Sequence, residues 1–139
     1  IIEYISNGNL TDVGILVYYN DQVKQIRDYF QSRGIPVQWK TKDAMEINFK
    51  STSPKIITWH CAKGLQFNDV FIPCCGLNEY RYFAPWHYEP MENKSVLYVA
   101  TTRPLENLYL LYTNNLAPLL PNPNSPVYSG NTGSNSGPF

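Results

Sequence analysis

Apolar and polar positions follow two rhythms along this chain. Val13-Gly14-Ile15-Leu16-Val17-Tyr18 is an unbroken apolar run. Such a run predicts a strand buried on both faces of a parallel sheet. The rhythm then changes over residues 21–33. Val23, Ile26, Tyr29 and Phe30 take the three-and-four spacing of one helical face, with Lys24 and Arg27 on the solvent side. Asn20 or Asp21 can cap this helix and Gly34 ends it. Ile35-Pro36-Val37 begins a second strand, so the segment reads as a β-α-β unit. Upstream, Ile1, Ile2, Tyr4 and Ile5 read as the end of a helix that Asn7-Gly8-Asn9 closes.

Residues 40–55 are mixed and polar. Met45 to Phe49 alternate as a short edge strand would, and Ser51 to Pro54 form a turn. Lys55–Trp59 and Asp69–Pro73 are β-branched and aromatic, and predict two strands joined by a short polar turn. Residues 74–93 are irregular. Residues 92–103 read as a helix carrying Val96, Val99, Ala100 and Arg103 on one stripe. Pro104 disfavours helix at the residue before it, so the helix ends near Thr102 and presents Arg103 at its terminus. Leu108 to Tyr112 predict a final buried strand. The pattern is that of an α/β domain with a mostly parallel sheet over residues 1–113. A Pro/Asn/Gly/Ser-rich tail follows over 114–139, and its last residues, Tyr128 to Phe139, read as a flexible terminus or linker.

Composition narrows this picture. With 139 residues, one domain with a real core is expected. Eleven basic and eleven acidic side chains balance, which argues against a free-standing, strongly basic nucleic-acid binder. It is compatible with half of such a site. Three cysteines, two of them adjacent at Cys74-Cys75, have neither metal spacing nor an even disulfide framework, and read as thiols in a reducing cytoplasm. No apolar run is long enough to predict a membrane span. The chain opens without Met inside an apolar pattern, as a piece of something longer would.

The chemistry concentrates at residues 56–73. His60, Lys63 and Gly64 stand where the first of two strands ends, and the turn's amides with Lys63 and His60 would suit an anion such as a phosphate. Each residue also has a plainer reading. His60 can be a structural histidine, Lys63 a solvated turn residue, and Arg103 a surface arginine paired with Glu106. Tyr80, Arg81, Tyr82, Phe83 and Trp86 form an aromatic and cationic cluster that either faces nucleic acid or pins its own loop to the core.

Thr58-x-His60-x-Ala62-Lys63-Gly64-Leu65-x-Phe67 resembles motif V of the UvrD/Rep-type superfamily 1 DNA helicases. Leu97-Tyr98-Val99-Ala100-Thr101-Thr102-Arg103 resembles their motif VI, and Gly76-Leu77-Asn78-Glu79 with Phe83 and Pro85 is similar to the segment between. The β-α-β unit resembles the motif IV region. Tyr19 stands where the family usually carries arginine, Gln66 where it carries glutamate, and the arginines usual near Lys94-Ser95 are missing. Only about twenty residues separate motifs IV and V, which implies a compact relative without the accessory domain of larger members.

The resemblance implies the second RecA-like domain of a helicase, a three-layer α/β fold. It implies a catalytic arginine finger at Arg103, nucleotide contacts from Gly64, Gln66 and Arg103, and contacts to single-stranded DNA from Thr58, His60 and Lys63. No metal ligand is expected. No G-x-x-x-x-G-K-[ST] loop and no paired acidic residues for magnesium are present, so the chain alone should not hydrolyse ATP. ATP and Mg²⁺ would be held mainly by an upstream RecA-like domain of the same cytoplasmic polypeptide, involved for instance in DNA repair. The rival expectation is a non-catalytic module that binds nucleic acid or protein and derives from a helicase half.

Overall fold

The computed structural model describes residues 1–7, 12–40, 45–48, 50–76, 97–113, 115–116, 120–121 and 124–128. Its centre is a six-stranded sheet. In chain order the strands are β1 (Val13–Val17), β2 (Gln38–Lys40), β3 (Met45–Glu46), β4 (Lys55–Thr58), β5 (Phe67–Ile72) and β6 (Pro104–Leu110). Across the sheet they run β3-β2-β4-β1-β5-β6. Neighbours are parallel except β3, which pairs antiparallel with β2 at one edge. The architecture is therefore α/β with a mostly parallel sheet, as the apolar runs imply.

Strand β1 is central because every one of its residues is apolar and small or branched, and all five are buried. It pairs with β4 on one side (Ile15 opposite Ile56) and with β5 on the other (Ile15 opposite Phe71). Its side chains alternate between two cores. Val13, Ile15 and Val17 pack with Val23, Ile26 and Phe30 of α2 (Asn20–Ser32) and with Ile1 beside α1 (Ile2–Asn7). Leu16 points the other way, into a cluster of Ile57, Trp59, Ala62, Phe67, Val70 and Ile72. Leu97 and Ala100, from a helix described over residues 97–101, close that second face. Helix, sheet and helix thus make three layers. No helix among the described residues is long and apolar enough to cross a membrane.

Several sequence expectations shift. Helix α2 begins at Asn20, and its N-cap position is Tyr19 rather than Asn20 or Asp21. The amides of Tyr18 and Tyr19 donate to Oε1 of the buried Gln22, at 3.1 and 2.8 Å. A side chain three residues into the helix thus closes the corner between β1 and α2. Arg27 does not simply face solvent: its guanidinium lies over the Trp39 ring, 4.8 Å from the centroid, and pairs with Asp28. The second strand starts at Gln38, after Ile35–Val37: the Ile35 amide still donates to the Phe30 carbonyl at the helix end, at 3.0 Å, and Pro36 has no amide to give a ladder. The alternating segment does form an edge strand, β3.

The last strand is β6, not a buried Leu108–Tyr112. It starts at Pro104 and lies at the sheet edge, with Leu105 59% and Leu108 36% exposed. An apolar run reports attraction to a core, not whether neighbours cover both sides. On the helix before it, the buried stripe is Leu97 and Ala100, with Val99 half-buried. Past the sheet, Leu116 bridges Gly76 and Leu120 is buried in the second core. The Asn7-Gly8-Asn9 stop in its last two residues, the cluster from Tyr80 to Trp86, the helix start over 92–96 and the terminus after Tyr128 lie outside the described residues.

Candidate functional site

Strands β4 and β5 are parallel and flank β1, so the chain must cross one face of the sheet between them. Residues 59–66 make this crossing, from the carboxyl edge of the sheet to its amino edge. Trp59 donates its amide to the Val17 carbonyl at 2.8 Å and anchors the start. A 3₁₀ turn, His60–Ala62, follows. The Thr58 hydroxyl oxygen accepts the Cys61 amide at 3.3 Å and helps to close it.

The next turn explains the Lys-Gly pair. The Leu65 amide donates to the Ala62 carbonyl at 3.0 Å. Lys63 has φ −58° and ψ 127°, and Gly64 has φ +83°. These are the angles of a type II turn, whose third position needs positive φ and hence glycine. A Cβ on Gly64 would meet no atom, so the backbone angle rather than crowding selects glycine there. Trp59 and Ala62 are buried and Leu65 packs beneath them, whereas His60, Lys63, Gly64 and Gln66 are exposed. The crossing is stitched to the core at every third residue and offers its polar residues outward.

The expected site residues fall into two groups along this crossing. At the carboxyl edge, Thr58 and His60 line a groove of about 490 Å³ with Tyr18, Tyr19, Asn20, Lys40 and Cys61. Tyr18 is its aromatic hub. Its ring stands edge-on to Tyr19 at 4.6 Å and to Trp59 at 5.5 Å, and lies 5.3 Å from the His60 ring. Lys40 brings a cation from the end of β2. Lys63 is exposed on the turn and is not part of this lining.

At the amino edge stands Arg103. The helix over residues 97–101 ends just before it, and Pro104 opens β6 just after it. The Phe67 amide donates to the Arg103 carbonyl at 3.0 Å, which ties the start of β5 to the start of β6. The guanidinium turns back over the crossing. Nε donates to the Val99 carbonyl at 3.0 Å, Nη1 to the Leu65 carbonyl at 3.3 Å and Nη2 to the Thr102 hydroxyl at 3.2 Å. Glu106 is not among its partners. Gly64 and Gln66 flank the carbonyl that Arg103 holds. An arginine has five N–H groups. Among the described residues three are engaged, leaving one N–H on each terminal nitrogen. That is a half-filled fork of the kind suited to a bidentate anion.

Residues 40–115, more than half of the chain, match the model of the UvrD-like helicase C-terminal domain. The chain belongs to this family. Among solved structures, the UvrD-like domain is similar to the C-terminal domain of a possible DNA helicase from Lactobacillus plantarum WCFS1, with a TM-score of 0.60 at 19% identity. The alignment covers 85% of this chain and 65% of that one, so the chain spans just under two thirds of that relative. At this identity the likeness speaks for the fold. No curated protein matches the chain.

Reading the motifs alone missed the groove's other walls. Tyr18, Asn20 and Lys40 come from two further strand ends that only sheet order brings beside β4. It also missed Thr102 as a partner of Arg103. The adjacency of Thr102 and Arg103 was the available signal, but adjacency alone does not say which way the guanidinium folds, and here it folds back over the last helical turn.

Proposed function

We propose that this UvrD-like domain is the second motor domain of an ATP-dependent DNA helicase. In this reading Arg103 is an arginine finger that completes a nucleotide site held mainly by an upstream RecA-like domain of the same cytoplasmic polypeptide. The observation that carries it is the Arg103 guanidinium on the Leu65 carbonyl. One side chain joins the motif V crossing to the end of the motif VI helix and, among the described residues, keeps an N–H free on each terminal nitrogen. Developing charge on a transferred phosphoryl group is what such a fork stabilises. Gly64 and Gln66 sit beside it, and a glutamine amide can still hydrogen-bond a ribose hydroxyl. Mg²⁺ would neutralise phosphate charge, held by acidic residues of the upstream domain.

Single-stranded DNA is the partner we assign to the opposite edge. The groove there combines tyrosine rings, an imidazole and the Lys40 ammonium. Stacking faces with a nearby cation suit a strand whose bases are unpaired. Thr58 and His60 are the expected contacts in the groove, with Lys63 farther along the crossing. Because residues 59–66 run between the two edges, a change at the nucleotide end has a covalent path to the DNA end.

The test is complementation. The chain alone should hydrolyse no ATP, and its polypeptide with the upstream domain should do so in the presence of single-stranded DNA. Arg103→Ala should lower kcat by about 10³–10⁵-fold. Arg103→Lys should stay low, since an ammonium cannot reproduce the planar fork. If the two-domain protein stays inactive while single-stranded DNA still binds, a non-catalytic binding module takes the place of this reading.

A further inference from the structure

We infer that Thr102 is a positioning residue for Arg103, and that its hydroxyl sets the direction in which the guanidinium meets a phosphate. This rests on the reading of Arg103 as the finger. The geometry is a short relay. The Thr102 hydroxyl lies 2.9 Å from the Tyr98 carbonyl and 3.0 Å from the Val99 carbonyl, so its one hydrogen is shared within the last helical turn. Its lone pairs then point away from those carbonyls, and one accepts Nη2 of Arg103 at 3.2 Å. Val99 takes part twice, because its carbonyl also accepts Nε of the same arginine at 3.0 Å.

The guanidinium is thus gripped on two sides by one turn of helix, and on a third by Leu65. A free arginine side chain samples many rotamers, and fixing it costs entropy at the moment of use. Here that ordering is done before any ligand arrives. The two backbone acceptors cannot be removed by substitution. The Thr102 hydroxyl can, and among the described residues it is the side-chain contact in the grip. The turn explains why the arrangement is local: the Thr102 amide still bonds helically to Tyr98, at 3.1 Å, and Pro104 then forces the chain out into β6. Arg103 leaves the helix at that bend and folds back over it.

Valine has nearly the shape of threonine and no hydroxyl, whereas serine keeps the hydroxyl and loses the methyl group. In the polypeptide that carries this domain with its phosphate-loop domain, Thr102→Val should lower kcat for ATP about tenfold, the worth of one hydrogen bond from a charged donor. KM should stay within about twofold, because a misdirected finger weakens transition-state contacts more than ground-state binding. Thr102→Ser should restore kcat to within about threefold. A readout independent of turnover is the Arg103 side-chain Nε–H resonance of the 139-residue chain. It should be sharp in the wild-type and Thr102→Ser chains and broadened in Thr102→Val. Thr102→Ser as slow as Thr102→Val, or Thr102→Val with unchanged kcat, would overturn the positioning role while a silent ATPase in Arg103→Ala leaves the finger reading intact. If Arg103→Ala keeps full ATPase, the finger reading itself falls, and the catalytic role of Thr102 falls with it.

Discussion

At the scale of single residues, glycine does two different jobs in this domain. Gly64 is chosen by its backbone angle. Gly14, in the middle of β1, is chosen by space: a Cβ there would stand 2.6–3.0 Å from ring atoms of the buried Phe67. Phe67 opens β5 and is 2% exposed within the second core, so its ring has little room to retreat. Gly14→Ala is expected to destabilise the domain by about 1–3 kcal/mol through overpacking. Chemical denaturation measures this, and an unchanged midpoint would mean the ring yields freely. Nothing in the sequence announces the Gly14–Phe67 contact, since the two residues are far apart in the chain and meet only through the β1–β5 pairing. The Lys63-Gly64 turn, by contrast, is legible locally, because a type II turn is decided by neighbouring dihedral angles.

At the scale of elements, helix α2 depends on a cap that ordinary N-cap rules do not identify. The buried Gln22 carboxamide oxygen takes two amides at once where β1 turns into α2. Replacing it leaves those donors without that acceptor at the rim of the groove. Gln22→Ala is expected to cost about 0.5–2 kcal/mol, the usual range for a lost helix cap. It should also loosen Tyr18 and Tyr19, which faster hydrogen exchange at their two amides would register. Exchange at wild-type rates would mean other acceptors replace the glutamine. The existence of α2 was clear from Val23, Ile26 and Phe30, whose spacing admits one buried face. Its first turn was not, because the capping group sits inside the helix rather than ahead of it. Strand β6 carries a related lesson. Its apolar content was plain, but its place at the edge follows from sheet order, which depends on how the long connections cross.

At the scale of the whole molecule, the balanced charge and the lysine that the described residues place in the groove, Lys40, bear on DNA binding. Eleven basic side chains against eleven acidic ones leave no general field to draw a polyanion. Affinity for single strands should therefore depend on a few local cations and fall as salt rises. Each neutralised phosphate of a single strand contributes about 0.7 to the slope of log affinity against log salt. Lys40→Ala should reduce that slope by about this amount without changing the thermal midpoint; an unaltered slope would remove Lys40 from the interface. The α/β class, the buried central strand and the motif segments that mark the UvrD-like family are legible without coordinates, because each is written in local periodicity, local turn geometry or short runs of specific residues. Tertiary structure alone decided that the expected site splits between two edges of the sheet, that Lys40 joins Thr58 and His60, and that Arg103 rests on Leu65 beside Thr102. The physical reason is that parallel strands require crossings. A crossing carries neighbouring residues to opposite ends of the sheet, and brings together residues from distant parts of the chain.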